Sequence, residues 1–275
     1  MHIVTVYPIV KGAFREELTY WSSHTFSVGS IIEVPLRGRN IPALVSEVTP
    51  ATHAKSQIKQ ASFITRKIEK TKELHVVHTE CIRASLDISQ KYVASLGSIL
   101  KACIPESILQ SRIDSKKKYG PLERGPKDSK SNSSVSSDIL VFQTNTEDRM
   151  STYKSIVREE FARKRSVIII APTVMSAHEL HQHLQKGIEE YVVILHGNIT
   201  KKKQVELWDA VLEREHPVLI ICTPLFASIP RTDVQTIILE RESSRAYSSI
   251  RAPYIDFREY IEMYAKRLDA RLIYG

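Results

Sequence analysis

The stretch ILVFQTNTEDRMSTYKSIVREEF (Ile139–Phe161) runs from an apolar strand, Ile139 to Phe142, through the polar turn QTNTEDRM into a helix predicted to begin near Ser151. It opens an alternation that continues to the last residue. Short, nearly continuous apolar runs recur at SVIIIAP (166–172), YVVILH (191–196), VLIICTP (218–224), TIILER (236–241) and ARLIYG (270–275). Amphipathic segments such as SAHELHQHLQK (176–186) and KKKQVELWDAVLER (201–214) separate them. A strand that is apolar at every position has both faces covered by protein, and the intervening helices supply the cover. Residues 139–275 therefore predict a parallel α/β sheet with helices on both sides.

In a lobe of this kind the first strand-turn-helix is where nucleotide phosphate would be held. A working phosphate loop, G-x-x-x-x-G-K-[ST], uses glycines so that backbone N–H groups converge on phosphate, Lys to neutralise it and Ser/Thr to hold Mg²⁺. Here those four slots hold Gln143, Asp148, Arg149 and Met150. Only a positive charge remains. Left-handed backbone costs a non-glycine residue roughly 1–2 kcal/mol, and Glu147 and Asp148 would repel a triphosphate. Nucleotide hydrolysis is not expected at this turn.

Two other constellations resemble chemistry without completing it. In ILERESSRAY (238–247) the acids Glu240 and Glu242 follow a buried strand, where Mg²⁺-holding carboxylates commonly sit, but Arg241 between them opposes an ion. That segment reads as a solvated loop paired with itself. In HELHQHLQK (178–186), His178, Glu179, His181 and His183 invite comparison with a zinc helix, which needs histidines four apart on one face. The spacings of three and two predict an ordinary polar face and no metal.

Before residue 139 the pattern changes. Residues 1 to about 50 contain short strands, HIVTVYPIV, LTYW, SIIEVPL and NIPALVSEV, punctuated by Gly29, Pro35 and Gly38, which suggests a small twisted β-barrel or sandwich. From about 74 to 102 apolar positions return at helical spacing and predict two helices, with Pro105 closing the segment. Residues 111–138, rich in Lys, Ser, Gly and Pro, read as a flexible basic linker. The hairpin tip LRGRN puts Arg37 and Arg39 on either side of Gly38, which suits a phosphate backbone as well as it suits a plain solvated turn.

The whole chain has 275 residues, a formal charge of +8 and a pI near 9.3, which favours an anionic partner such as nucleic acid. The excess is uneven: residues 1–138 carry 20 Lys+Arg against 13 Asp+Glu, and the remainder 19 against 18. Its 42% hydrophobic and 25% charged residues exclude wholesale disorder. Cys81, Cys103 and Cys222 are widely separated and form no C-x-x-C pair, so neither a zinc site nor a disulfide framework is expected, and a reducing cytoplasm fits. The N-terminal run IVTVYPIV is too short to span a bilayer and reads as a strand; no membrane partner is expected.

Taken in order, these pieces resemble the N-terminal part of the primosomal protein N′ (PriA) family of replication-restart helicases. LTYWSSHTFSVGSIIEVPLRGRNIPALVSEV is similar to that family's FDYLVPEG…PGxRVxVPFGxRxxxGxVxxV, and KYVASLGSILKACIP to its DYYxxPLGEVLxxALP. Further on, QTNTEDRMSTY stands where the family has GVTGSGKTEVY, VIIIAPTVMSAHEL where it has VLVLVPEIALTPQL, and TIILERESSRAY where it has IIVDEEHDSSYK. The resemblance implies a 3′ DNA-binding domain over 1–110 and a first RecA-like helicase lobe over 139–275.

Departures accompany it. The family's winged-helix segment is replaced by the linker, its phosphate-loop Lys and Thr are Arg149 and Met150, and its DEEH is Glu240, Arg241, Glu242 and Ser243. The family's second lobe and zinc-binding cysteine cluster have no counterpart here. Its FDY becomes Leu18, Thr19 and Tyr20, with Thr19 in place of an Asp that the family uses at a 3′-terminal base.

The expected protein is α/β overall: a small β-rich domain with two helices, then a parallel RecA-like lobe. It is expected to bind DNA, branched or 3′-ended, through Lys11, Thr19, Tyr20, Arg37, Gly38 and Arg39, with no catalytic residue, cofactor or metal. Gln143, Asp148, Arg149, Met150, Glu240, Arg241 and Glu242 would be a degenerate nucleotide site. Two alternatives stand beside it. One is an incomplete ATP- and Mg²⁺-dependent helicase whose second lobe comes from elsewhere; the other is an interaction module for replication or primosome proteins.

Overall fold

The computed structural model describes residues 1–11, 17–50, 66–69, 71–115, 139–141 and 145–275. Gln143 and linker residues 116–138 lie outside this set.

The N-terminal strands are β1 (His2–Pro8), β2 (Leu18–Ser22), β3 (Ile31–Leu36), β4 (Arg39–Pro50) and β5 (Arg66–Lys67). Among the described residues they form one five-stranded sheet in the order β3-β4-β1-β2-β5, rather than a closed barrel or two-layer sandwich. All pairings are antiparallel except β2 with β5. A bulge between Thr5 and Val6 bends the central strand. One side of this sheet closes over Val4, Val6, Tyr20, Phe26, Ile32, Val34 and Val45.

The other side is covered by helices, three rather than two: α1 (Thr79–Lys91), α2 (Leu96–Cys103) and α3 (Glu106–Asp114). Pro105 does not end the helical region. It is the N-cap of α3, where a fixed φ and a missing N–H cost nothing, with Glu106 in the first turn and Arg112 in the last. Helical structure thus continues past residue 111, where a linker was expected to begin. Gly97 explains how α2 approaches so closely: a Cβ there would lie 1.8 Å from the Pro8 carbonyl oxygen at the end of β1.

The C-terminal lobe contains β6 (Ile139–Val141), α4 (Thr146–Ala162), β7 (Ser166–Ile170), α5 (Val174–Leu184), β8 (Val192–Leu195), α6 (Lys201–Glu213), β9 (Leu219–Cys222), β10 (Val234–Leu239), α7 (Phe257–Leu268) and β11 (Arg271–Tyr274). The six apolar runs become six parallel strands in the order β6-β11-β10-β7-β9-β8. Alternation along each strand divides the core. Val167, Ile169, Leu219 and Ile221 pack with α4 and α5, while Ile168, Ile170, Ile220 and Cys222 pack with α6 and α7. The expected α/β class and two-sided cover are what the strands adopt.

Helix α4 begins at Thr146, five residues before the expected start. Asn145 is its N-cap and accepts a hydrogen bond from the Asp148 N–H at 2.9 Å, with Glu147 and Asp148 in the first turn against the helix dipole.

Helices α1–α3 are shared between the halves, since their apolar side chains join those of α6 and α7 in one continuous core. Polar contacts cross the same boundary. Ser228 Oγ donates to the Cys103 carbonyl at 2.6 Å, Tyr92 Oη to Glu259 at 2.8 Å, and Arg267 Nε to Asp87 at 2.8 Å. Cys81 Sγ and Tyr260 Oη meet at 3.1 Å inside the boundary.

Candidate functional site

Strands β3 and β4 meet at a two-residue turn, with Leu36 paired to Arg39 and Arg37–Gly38 at the tip. Both tip residues have positive φ, +50° and +78°, the geometry of a type I′ hairpin. Gly38 takes it freely. Arg37 takes it at a cost of roughly 1–2 kcal/mol, and the Leu36–Arg39 pairing that closes the turn puts its exposed side chain at the tip.

Beside this turn lies a cavity of about 680 Å³. Lys11, Arg37 and Arg39 line it together with Pro8, Val10, Leu18, Leu36 and Ile41. Cations at the rim of an apolar trough suit a ligand with an anionic edge and a flat apolar face. The volume falls within the usual range of about 300–1,000 Å³ for ligand pockets.

Three of the six residues expected to contact DNA therefore converge on one cavity, with Gly38 at its edge. The other two are elsewhere. Since Leu18 lines the cavity, alternation along β2 puts Thr19 on the opposite face. Tyr20 is buried in the sheet core and its hydroxyl donates to the Pro35 carbonyl at 2.9 Å; burial raises its pKa, partly offset by Arg66. Its ring is a packing element. The apolar wall of the cavity was not anticipated, because it is assembled from four strands whose order no local pattern reveals.

The second expected site lies at the carboxyl ends of the parallel strands, where such sheets hold ligands. A cavity of about 340 Å³ there is lined in part by Thr146, Met150, Ser176, Glu179, His183, Glu240 and Arg241. The sequence reading of Glu240 as part of a solvated, self-paired loop fails: it is 2% exposed at the end of β10. Its Oε1 accepts from Arg149 Nη2 at 3.0 Å and its Oε2 from Tyr153 Oη at 2.7 Å. The residue in the phosphate-lysine slot thus neutralises the residue in the Mg²⁺-carboxylate slot. Burial first, and then the adjacent Glu240 charge, raise the Tyr153 pKa far above its ordinary value, so the phenol stays a donor.

Arg241, in left-handed backbone at φ +50°, lies at the edge of this pair, its Nε 3.8 Å from Glu240 Oε1. Its Nη2 reaches Glu179 at 3.1 Å and its Nη1 lies 3.4 Å from Ser176 Oγ. Asp148 faces solvent on α4, where its side chain accepts from Asn145 Nδ2 at 2.8 Å; Glu242 is half-buried and its N–H donates to the Gly275 carbonyl at 3.3 Å. Of the helical histidines, His178 packs edge-to-face on buried His196 with ring centroids 4.9 Å apart. Burial and then His178 lower the His196 pKa.

A mainly antiparallel sheet with a basic, apolar-walled trough is thus joined through shared helices to a parallel α/β lobe. Residues 9–105 match the family model of the PriA 3′ DNA-binding domain. Over 262 residues, 94% of this chain, it is similar to the replication restart protein PriA of Helicobacter pylori, with 19% identity to the protein of strain ATCC 700392 / 26695 and 20% to that of strain J99 / ATCC 700824. The chain spans 40% of the length of these relatives. Among solved structures, the C-terminal domain of Dbp5 from S. cerevisiae is 20% identical, with 50% of this chain and 74% of that one covered and a TM-score of 0.36. No helix among the described residues is long and apolar enough to cross a membrane.

Proposed function

We propose that this protein binds the 3′-terminal strand of DNA, as at a branched replication fork, in the trough beside the β3–β4 hairpin. The observation that carries this reading is the convergence of Lys11, Arg37 and Arg39 on one apolar-walled cavity within the stretch that matches the 3′ DNA-binding family. The cations neutralise backbone phosphate, and Leu18, Leu36 and Ile41 offer a surface for the terminal sugar and base. Thr19 and Tyr20 act behind this surface and do not touch DNA.

The parallel lobe is inert toward ATP and Mg²⁺ in this reading and serves as a scaffold. The Arg149–Glu240 pair supports it, because a metal ion would have to displace a buried guanidinium from the oxygen that Tyr153 does not occupy. The helix start supports it too. The Asp148 N–H, which would face a phosphate, is already taken by Asn145.

The test is a titration of 3′-ended fork DNA against the wild-type protein and an Arg37→Ala/Arg39→Ala double variant. The double variant should bind more weakly, and its log–log salt slope on single strands should fall by about 0.7 for each phosphate that is no longer neutralised. Unchanged affinity and slope would overturn the assignment. In parallel, Mg²⁺-ATP should leave the melting temperature where it is. A ligand present at 100 times its Kd would stabilise by about 2.7 kcal/mol, so a clear rise would return the lobe to nucleotide chemistry.

A further inference from the structure

We propose that the hairpin cavity is the first half of a longer path, which continues across Lys11 into a second cavity at the seam between the sheet and the parallel lobe. Arg251 would grip the strand there, several nucleotides from its 3′ end. This deepens the DNA-binding reading above and rests on it.

Lys11 is the joint, because it lines both cavities. The second has a volume of about 450 Å³, with walls that include Thr223, Leu225, Ser249, Arg251 and Phe257 from the lobe. Lys11 is exposed, yet the chain just before it is fixed: Ile9 is buried in the core common to both halves, and its N–H donates to the Pro42 carbonyl at 2.9 Å. Its backbone therefore leaves the sheet at a set place, from which the side chain lines both cavities.

Arg251 is fixed in the same way. Its carbonyl accepts from Ser249 Oγ at 2.8 Å and from the Tyr254 N–H at 2.8 Å, while the Ser249 N–H donates to the Ile255 carbonyl at 2.8 Å. Its exposed guanidinium has no carboxylate within ion-pair distance among the described residues, and the same holds for Lys11. Two available cations, separated by a groove that is mainly apolar with an aromatic wall, match a single strand: phosphates at the cations, bases against Leu225 and Phe257. Every base has a face that can pack against Leu225 and Phe257, so contact along the groove should be indifferent to sequence. Because Ser228 and Cys103 are hydrogen-bonded across the seam, the two halves of the path keep their register.

The experiment uses the full chain and 3′-hydroxyl oligothymidylates of two and six nucleotides, titrated by fluorescence anisotropy at several salt concentrations with wild type, Lys11→Ala and Arg251→Ala. The hexamer should bind more tightly than the dimer and with a steeper salt slope. Arg251→Ala should lower the hexamer slope by about 0.7, for one phosphate, and leave the dimer unchanged. Lys11→Ala should weaken both. Arg251 is exposed, and an unaltered melting temperature would show that its variant is folded. Dimer binding combined with a hexamer that ignores Arg251→Ala, or an equal loss on both lengths, would overturn the path while leaving the hairpin site intact. Failure of wild type to bind either oligonucleotide would overturn the DNA reading and the path with it.

Discussion

Replacing Arg149 by Met would leave Glu240 buried with its main counter-charge removed. Their side chains are 11% and 3% exposed and their charged atoms are 3.0 Å apart, so solvent screens the pair little. At an effective dielectric constant of about 20, charges at this distance attract by roughly 5–6 kcal/mol, most of which offsets the desolvation of both groups. Intact, the pair therefore adds little net stability. Broken, it leaves the desolvation of Glu240 offset only by Tyr153 and by half-exposed Arg241, whose Nε is 3.8 Å away, and the expected loss is about 3–5 kcal/mol. For a chain of this size that lowers the melting temperature by roughly 6–20 °C. The control is a second variant, Arg149→Met/Glu240→Gln, which removes both charges and should recover most of the loss. Urea unfolding of the wild type, both single variants and the double variant closes the cycle. If Arg149→Met lies within about 1 kcal/mol of wild type, the two motif positions are not coupled as described and the metal slot is open.

Gly97→Ala would set a methyl 1.8 Å from the Pro8 carbonyl oxygen and force α2 away from β1, so a loss of about 1–3 kcal/mol is expected by urea unfolding; wild-type stability would refute the close approach. Asn145→Ala removes the cap of α4 and should cost about 1 kcal/mol with no change in DNA affinity, measured by thermal melting and anisotropy. His196 has a lowered folded-state pKa, so the unfolded chain binds its proton first as pH falls below about 6.5 and native stability drops in that window. His196→Asn, which retains an acceptor for the Asn198 N–H, should flatten this part of the wild-type stability profile between pH 7.5 and 5.5. An identical profile would exclude His196 as its source.

Local pattern was sufficient wherever one element is recognised by its own periodicity. Unbroken apolar runs such as SVIIIAP identify strands buried on both faces, and all six in the lobe are strands. The Arg37–Gly38 tip is likewise a short-range feature, since two residues flanked by strands need positive φ. Elsewhere two local signals compete. Asn145 followed by Glu147 and Asp148 is a helix start in its own right, yet the polar run QTNTEDRM reads equally as a turn that delays the helix to Ser151. Pro105 marks a beginning as readily as an end, and only the Glu106 and Arg112 that follow it distinguish the two.

By itself, then, the sequence determined every described strand but β5 and most of the described helices, the basic hairpin and the replacement of the phosphate-loop residue types at Arg149 and Met150, because each depends on residues within a few positions of one another. The partners were decided only by the tertiary structure. Arg149 and Glu240 are 91 residues apart and meet because β11 and β10 order themselves beside β6; Lys11, Leu18 and Arg39 share a cavity because β1 lies between β4 and β2. Strand order is set by which apolar faces bury one another across the whole chain, and no local window carries that information.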